Sequence, residues 1–528
     1  MRLAFWYIVL YAYPLISCME QTSHIKKYCF INNDHISQKI FACCDLATKD
    51  CLRSVCKTLH QYGKTYLQLY LYRPLCISAQ QEKDIIEKSI TTFNSPIIDN
   101  LLYNNDSEQF LYDTLKQALT NTTELSTRSF VHILTEHTPP SISCQEDLLF
   151  FATTHNNSNA VASLLHNKNL NTNRAKDIYT DFPALYYASQ KNYCAIVELL
   201  LDHPSTDCNV LYKNYYTPLY TASEHGNLEI VTMLCRRKDC LIEGLDPQGS
   251  TPLYIASQSG HYAVAEYLLQ RNANKEALFR SFTPLYVAAR NGHHKIVTLL
   301  LRNGADSNHQ DIDGATPLYT AAQNGYYKVI KVLYGHSARL SASFLGGYTP
   351  LYVASQNGHD KVVQLLLTYP ESECRPNFVC ANGATALYTA SQNGHDKVID
   401  QLLLVPNIDT SLCYNGNSVL YIAINKGHRS IVQKLLQHSP HLICLNNSHN
   451  NSPLHKSVAQ GYFSNPITQD LLNIPGIVIN SINNNNDTAL DIAHYTGNKQ
   501  IIEVLRQYGA QTFNEINYNN NTQKVQFT

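Results

Sequence analysis

The chain has 528 residues, a formal net charge of −1 and only 15% charged residues, whereas soluble domains usually contain roughly 25%. No basic stripe is present that could follow a phosphate backbone, so the composition disfavours nucleic acid as a partner. A single hydrophobic core rarely serves so long a chain, but units that contact only their neighbours avoid this limit.

Residues 1–18 have the pattern of an export signal, with one arginine, an apolar stretch and a small serine before Cys18. The stretch is too short and too interrupted by Tyr13-Pro14 to predict a membrane span. No other run of 18 apolar residues occurs, so we expect no transmembrane span in the mature chain. Leu15-Ile16-Ser17-Cys18 resembles the bacterial lipobox, whose cysteine is acylated, which makes Cys18 a candidate lipidation site. The sequence therefore predicts an exported protein, either secreted or membrane-anchored, and the alternative is an intracellular protein in which this segment is a buried strand or helix.

Residues 19–140 carry no repeat signature and form a cysteine-rich N-terminal region. Apolar residues at steps of three and four predict short helices there. Behind an export signal, an even number of cysteines suggests up to three disulfides. A zinc site that combines four of these thiols with His60 is the alternative, but the spacing matches no standard zinc motif, so we favour disulfides or buried thiols and predict no metal. The six candidate cysteines are Cys29, Cys43, Cys44, Cys51, Cys56 and Cys76.

The motif Thr-Pro-Leu-Tyr recurs along the chain at nearly constant spacing, in steps of 34, 32, 33 and 33 residues. A fixed period near 33 predicts a solenoid, in which one small unit stacks on copies of itself. The five copies are Thr217–Tyr220, Thr251–Tyr254, Thr283–Tyr286, Thr316–Tyr319 and Thr349–Tyr352.

One unit, residues 283–305, explains why each copy should fold as a pair of helices. Thr283 is placed to cap a helix whose first residue is Pro284. Gly292 ends this helix in a conformation with positive φ. Apolar residues from Ile296 to Leu300 give a second helix its buried stripe. Two short helices cannot bury both apolar faces alone, so the units must stack.

The unit resembles the ankyrin repeat, whose consensus contains T-P-L-H, A-A, G-H and a closing G-A in the same order. One buried leucine marks each candidate repeat, and an alanine follows it three positions later in ten of the eleven. The resemblance covers residues 145–512, roughly 70% of the chain, and implies an all-α ankyrin-repeat solenoid with short hairpin loops. Residues 513–528 are expected to be a disordered, asparagine-rich tail. The marker leucines are Leu149, Leu185, Leu219, Leu253, Leu285, Leu318, Leu351, Leu387, Leu420, Leu454 and Leu490.

Two features depart from the ankyrin pattern. The first is a tyrosine in place of the consensus histidine, which predicts either a packed ladder of rings or a binding surface. Since a residue that recurs in nearly every repeat is expected to stabilise the repeat itself, we favour the packed ladder. The second is a spacing of 36 residues after Leu149, Leu351 and Leu454, so extra residues should emerge in the connections, for example at 369–376. The tyrosines are Tyr186, Tyr220, Tyr254, Tyr286, Tyr319, Tyr352, Tyr388 and Tyr421.

The cysteines within the repeats show no pairing pattern, and we expect them to behave as small hydrophobic residues. The recurring Gly-His pairs belong to the ankyrin consensus and predict neither a metal site nor a general base. Ankyrin stacks are common in reducing compartments, so free thiols weigh against an extracellular location. A bacterial protein exported into a host cell would reconcile both signals. The repeat cysteines are Cys194, Cys235, Cys240, Cys374, Cys380, Cys413 and Cys444.

No nucleophile elbow, phosphate-binding loop or zinc-protease motif occurs, so the sequence predicts a non-enzymatic protein with no cofactor. The resemblance implies a monomeric scaffold that binds a protein partner on a concave face formed by hairpin tips and first helices. An effector enzyme with a catalytic region at 19–140 and substrate-recruiting repeats is the alternative. Aromatic and arginine side chains are the usual anchors of such interfaces. The candidate binding residues are Tyr215, Tyr216, Asp246, Gln248, Arg280, Phe282, Asp311, Asp313, Phe344 and Tyr348 at the hairpins, and Gln258, Gln323, Gln356 and Gln392 on the first helices.

Overall fold

The computed structural model describes residues 112, 115–116, 141–174, 182–213, 216–244, 249–341, 344–461 and 465–518. The predicted signal at 1–18, with Cys18, and the six cysteines of the N-terminal region lie outside these residues. Within the described ranges the regular structure is helical, and antiparallel backbone pairing occurs as isolated bridges. The prediction of an all-α repeat fold is therefore confirmed.

In the described part of the chain, eleven helix pairs follow one another, and the first helix of each pair carries the marker leucine. A short extra helix, Glu371–Cys374, and two 3-10 turns, Thr172–Arg174 and Pro440–Cys444, lie between them. The helices are α1 Ile142–Thr154, α2 Ser158–Leu165, α3 Ala184–Lys191, α4 Cys194–Asp202, α5 Pro218–His225, α6 Leu228–Arg236, α7 Pro252–Ser259, α8 Tyr262–Gln270, α9 Pro284–Arg290, α10 His294–Arg302, α11 Pro317–Gln323, α12 Tyr327–Tyr334, α13 Pro350–Gln356, α14 Asp360–Leu367, α15 Glu371–Cys374, α16 Ala386–Asn393, α17 Asp396–Leu403, α18 Val419–Lys426, α19 Arg429–His438, α20 Pro453–Ala459, α21 Asn465–Leu472, α22 Ala489–Thr496 and α23 Lys499–Gln507.

The chain divides into two compact units, the first comprising Met1–Ala222 and Glu229–Cys240, the second Ser223–Leu228 and Leu241–Thr528. In the first unit, α1 packs on α2 and α3, and α2 packs on α4. In the second unit, the first helices of successive pairs pack side by side from α7 to α22, and the second helices do the same from α8 to α23. Each pair of the second unit thus contacts its neighbours in sequence, as a solenoid requires.

The threonine of the repeated motif caps the first helix, as its sequence predicts. The side chain of Thr283 accepts a hydrogen bond from the backbone N–H of Tyr286 at 3.2 Å, and Pro284 occupies the first turn. This cap satisfies one of the free N–H groups that every helix start exposes. The same bond recurs at Thr217, Thr251, Thr316, Thr349 and Thr385.

The core of each repeat is formed by the marker leucine, the small residues beside it and the apolar stripe of the second helix. Leu285, Ala288 and Ala289 have no solvent exposure, and neither do Val297 and Leu300. The alanines leave room for the neighbouring first helices to approach. Burial of these side chains between repeats, rather than within one, is what holds the stack together.

The extra residues after Leu351 do emerge in the connection, as the lengthened spacing predicts. The chain leaves α14 at Leu367 and forms the short helix α15, Glu371–Cys374, before the next hairpin. Arg375 then adopts a left-handed conformation with φ 51° and ends this helix. The insertion packs on α14, the second helix of the preceding repeat.

The C-terminal segment differs from the prediction of a disordered tail from residue 513 onward. Residues 513–518 are helical. Nη1 and Nη2 of Arg506 each donate to the carboxylate of Glu515 at 2.7 Å, and the backbone N–H of Phe513 donates to Asp491 at 2.9 Å. The prediction is wrong for these residues because a capping box between Thr512 and Glu515 starts the helical segment and contacts with the last repeat hold it.

Candidate partner-binding surface

Short hairpins connect successive repeats, and four of them are closed by isolated antiparallel bridges. These bridges join Tyr212 with Tyr216, Phe279 with Phe282, Phe344 with Tyr348 and Tyr414 with Asn417. Backbone hydrogen bonds hold each one, for example from Phe344 N–H to Tyr348 O at 3.0 Å. The described hairpins between them, at 311–315 and 380–384, contain no aromatic residue. Aromatic and non-aromatic hairpins therefore alternate through these repeats.

The aromatic residues of the hairpins pack against the tyrosines of the repeated motif. The ring of Phe282 stacks on Tyr286 with centroids 4.7 Å apart, and Phe344 stacks on Tyr319 at 5.1 Å. Tyr348 lies 5.1 Å from Tyr352. Rings at these distances add attraction beyond simple burial. The candidate residues Phe282, Phe344 and Tyr348 are consequently half-buried, and Tyr216, half-buried on Tyr220 in the first unit, has the same contact at 5.1 Å.

The tyrosines of the repeated motif are themselves buried, as the packed-ladder interpretation predicts. Burial raises the pKa of Tyr319 and Tyr388 to about 12. Burial and a hydrogen bond to Asp311 raise the pKa of Tyr286 as well. All of these phenols are therefore uncharged at neutral pH. The buried tyrosines are Tyr186, Tyr220, Tyr254, Tyr286, Tyr319, Tyr352 and Tyr388, whereas Tyr421 is half-buried.

Two acidic candidates of one hairpin have different environments. The carboxylate of Asp311 accepts hydrogen bonds from the backbone N–H groups of Asp313 at 3.0 Å and Ala315 at 2.8 Å, and from the hydroxyl of Tyr286 at 2.9 Å. Asp311 therefore shapes the hairpin. Asp313 is exposed, and its backbone carbonyl accepts from Leu345 N–H in the next hairpin at 3.0 Å.

Arg280 occupies the exposed turn of its hairpin. Its backbone is left-handed, with φ 48°, and its guanidinium lies 5.3 Å from the ring centroid of Phe279. This cation–π contact orients the charge at the hairpin tip. Arg280 is thus the one basic candidate, and it stands on a hairpin whose other aromatic residue, Phe282, packs inward.

The glutamine candidates lie at the ends of first helices, where their backbone carbonyls are used by the next repeat. The carbonyl of Gln258 accepts from Asn291 Nδ2 at 2.8 Å and from His293 Nε2 at 3.0 Å. Gln323 and Gln356 accept equivalent bonds from Asn357 and His359, and from Asn393 and His395. The side chains of Gln258, Gln323 and Gln356 are exposed, whereas Gln392 is half-buried. The histidines of the Gly-His pairs therefore join repeats.

Three further candidates, Tyr215, Asp246 and Gln248, lie outside the described residues. A partner-binding role for all fourteen candidates stays a prediction. None of the helices in the described ranges has the length and apolar character needed to cross a membrane. The same ranges contain no group of three His, Cys, Asp or Glu side chains that could hold a metal ion.

Exposed apolar side chains at the hairpin tips were missed by the sequence reasoning. Ile312 is 80% exposed and Leu345 is 60% exposed. The bond from Leu345 N–H to Asp313 O joins their hairpins edge to edge, and Ala381 N–H continues the row by donating to Gly346 O at 2.7 Å. Leu278 and Val379 add exposed apolar groups on the flanking hairpins. A signal was available, since an apolar residue between Asp311 and Asp313 stands where a turn normally places polar residues.

The helix pairs and the hairpins between them define a helical repeat protein. A family model described as ankyrin repeats (3 copies) matches residues 185–278, 277–343, 334–411 and 351–447. The chain belongs to the ankyrin repeat family. No curated protein sequence matches it.

Proposed function

We propose that the protein is a non-enzymatic scaffold that binds a protein partner through the hairpin tips of its second unit. The observation that carries this proposal is the edge-to-edge row of hairpins that exposes Ile312 and Leu345 in consecutive repeats. Single exposed apolar residues are normal on protein surfaces, but a contiguous group marks an interaction site.

The groups around this row suggest the chemistry of the partner. The exposed Asp313 follows Ile312 in the chain and accepts the backbone bond from Leu345 N–H, and the guanidinium of Arg280 extends from an earlier hairpin of the same unit. The exposed glutamines at the ends of the first helices add amide donors and acceptors. A partner that presents one or two apolar anchors with a basic group near Asp313 fits this arrangement, because buried apolar anchors within a polar rim supply most interface affinity.

A photo-reactive amino acid at position 312 of the full-length chain tests the location of the site in cells of the native source. We expect one discrete cross-linked protein from position 312. The matched control is position 404, because Leu404 is 74% exposed but follows a second helix. Equal cross-linking from both positions would contradict the proposal.

The isolated cross-linked protein then allows affinity to be measured by calorimetry. The double variant Ile312→Ser, Leu345→Ser should weaken binding at least tenfold, about 1.4 kcal/mol. The control variant Leu404→Ser, Val478→Ser changes side chains of 74% and 61% exposure outside the hairpins and should leave affinity unchanged. Unchanged binding by the first variant would place the partner elsewhere.

We also propose that the chain is exported, either secreted or anchored through Cys18, on the basis of the apolar stretch in residues 1–18. The intact mass of the protein from its native source tests this proposal. A chain that begins at Cys18 with added acyl mass would support anchoring, and one that begins after the stretch without acyl mass would support secretion. A chain that still begins at Met1 would make the protein intracellular.

A further inference from the structure

Four cations lie on two neighbouring second helices of the second unit. Lys295 and Arg302 belong to α10, and Lys328 and Lys331 belong to α12, which packs against α10. All four side chains are exposed, and so is Tyr327 beside Lys328. Lys295 and Arg302 are seven positions apart, so they share one face of α10 and are separated by about 10 Å along its axis. We call these four cationic residues the basic patch.

No carboxylate neutralises the basic patch. The sequence contains no aspartate or glutamate between Glu276 and Asp306 or between Asp313 and Asp360, so α10 and α12 have none. Among the described residues, no ion pair involves any of the four cations. The second helices on either side do carry acids, since α8 contains Glu266 and α14 begins with Asp360. The patch is therefore confined to two helices.

A later second helix of the same unit neutralises its cation across repeats. Nζ of Lys434 in α19 lies 2.7 Å from Oδ1 of Asp400 and 3.3 Å from Oδ1 of Asp396, both in α17. Residues 327–331 of α12 and 396–400 of α17 have the same three central residues, Lys-Val-Ile. The two flanking residues are aspartates in α17 but Tyr327 and Lys331 in α12. The positions that supply counter-charges in one repeat thus supply a phenol and a second cation in the other.

Like charges that lie close together without a counter-charge repel one another and attract an anion from another molecule. We propose that the basic patch binds an acidic segment of a protein partner through the carboxylates of that segment. The guanidinium of Arg302 is suited to hold one carboxylate by two parallel hydrogen bonds, and the exposed ring of Tyr327 adds an apolar contact with a polar tip. The patch shares no residue with the hairpin row, so it gives the scaffold a second binding surface.

The size of the patch favours a short protein segment over a nucleic acid or a membrane. Packed helices lie about 8–10 Å apart, so the four cations cover an area about 10 Å across in each direction. An extended segment advances about 3.3 Å per residue, and about six residues are enough to contact all four cations. A nucleic acid duplex or a bilayer extends far beyond this area and would bring its phosphates against Glu266 and Asp360 on the flanking helices.

Binding of a fluorescent hexaglutamate peptide to the full-length protein, followed by fluorescence anisotropy, tests the proposal. An ionic strength of about 0.01 M leaves the charges largely unscreened, because the Debye length is then about 30 Å. The variant Lys295→Gln, Lys328→Gln, Lys331→Gln should weaken binding about tenfold, since each exposed ion pair contributes little but three are lost. Glutamine forms helices about as readily as lysine, so the variant should fold, and circular dichroism checks this.

The matched control removes the same three charges from exposed lysines elsewhere in the second unit. The variant Lys397→Gln, Lys426→Gln, Lys499→Gln should change hexaglutamate affinity less than about twofold, because these side chains lie outside the patch. Equal weakening by the two triple variants would show that the peptide responds only to net charge, and the proposal would be wrong.

Two further results would overturn the proposal. One is hexaglutamate binding by the natural chain that is no stronger than binding of an uncharged hexaserine peptide. The other is a loss of binding to phosphatidylserine vesicles or to duplex DNA in the Lys295, Lys328, Lys331 variant while hexaglutamate binding is unchanged, which would assign the patch to a membrane or a nucleic acid. The hairpin variant Ile312→Ser, Leu345→Ser should bind hexaglutamate like the natural chain, so this test is independent of the hairpin row.

Discussion

The hydroxyl of Tyr286 donates a hydrogen bond to the carboxylate of Asp311 at 2.9 Å. Tyr286 belongs to the repeated motif of one repeat, and Asp311 organises the hairpin that leads into the next through bonds to Asp313 and Ala315. A tyrosine in place of the consensus histidine therefore joins a repeat to the following hairpin. In the next repeat Tyr319 makes the equivalent connection through its ring contact with Phe344, with no charged group involved.

Replacement of Tyr286 by phenylalanine should measure how much its hydrogen bond to Asp311 contributes to the free energy of unfolding. Tyr286→Phe should lower the free energy of unfolding by about 1 kcal/mol, because the ring still packs but the carboxylate loses a donor. Tyr388→Phe is the matched control, since Tyr388 is buried against Tyr414 and no hydrogen bond of its hydroxyl occurs among the described residues. Urea unfolding monitored by circular dichroism compares the two variants, and equal losses would show that the Asp311 bond contributes nothing.

Substitution of two neighbouring hairpin residues, Phe344 and Leu345, should distinguish a role in packing from a role in partner binding. Phe344→Ala removes a ring stacked on Tyr319 and should destabilise the protein by about 1–3 kcal/mol. Leu345→Ala truncates an exposed side chain and should change stability by less than about 0.5 kcal/mol while it weakens partner binding. The same urea titration measures both variants, and a large loss of stability in Leu345→Ala would mean that this residue packs within the repeat.

Two glycines with similar backbones should differ in their tolerance of alanine. Gly292 has φ 81°, and a Cβ there would lie 2.6 Å from Tyr326 Cε1 of the next repeat. Gly427 has φ 76°, but a Cβ there meets nothing within 4 Å. Both substitutions cost about 1–2 kcal/mol of left-handed strain, and Gly292→Ala should cost at least about 1 kcal/mol more because the tyrosine must move. Thermal unfolding of both variants tests this, and equal losses would show that Tyr326 moves freely.

The contact of the C-terminal helical segment with the last repeat should depend on pH. Hydrogen bonds from Arg506 lower the pKa of Glu515 from 4.5 to about 2. Since the folded-state pKa is depressed, the stabilisation is fully present above pH 4.5 and is lost as the pH falls towards 2. The pair is exposed, so the effect on global stability should be below about 1 kcal/mol.

Hydrogen exchange at the Phe513 amide, corrected for intrinsic rates, measures this contact locally. We expect its protection to fall between pH 4.5 and 2, and Glu515→Gln to lower it already at pH 7. Protection that is equal in the variant and in the natural chain at pH 7 would show that the bond from Phe513 to Asp491 is sufficient.

The sequence by itself determined the repeat period, the capping by Thr283, the helix start at Pro284 and the burial of Leu285. These features depend on residues within about one helical turn of each other, and the hydrophobic pattern with its cap and turn residues specifies them locally. The lengthened spacing after Leu351 likewise predicted where the extra residues emerge, because an insertion cannot enter a stacked core without disrupting it.

Only the tertiary structure decided which hairpin residues are available to a partner. Phe344 and Leu345 are adjacent apolar residues, yet the first packs on Tyr319 and the second faces solvent. The pairing of Arg506 with Glu515 was equally invisible, because it joins the last repeat to the segment that follows it. In each case the contact depends on how one repeat, or the C-terminal helical segment, is aligned with the neighbouring repeat. This alignment is fixed by the packing of whole helix pairs.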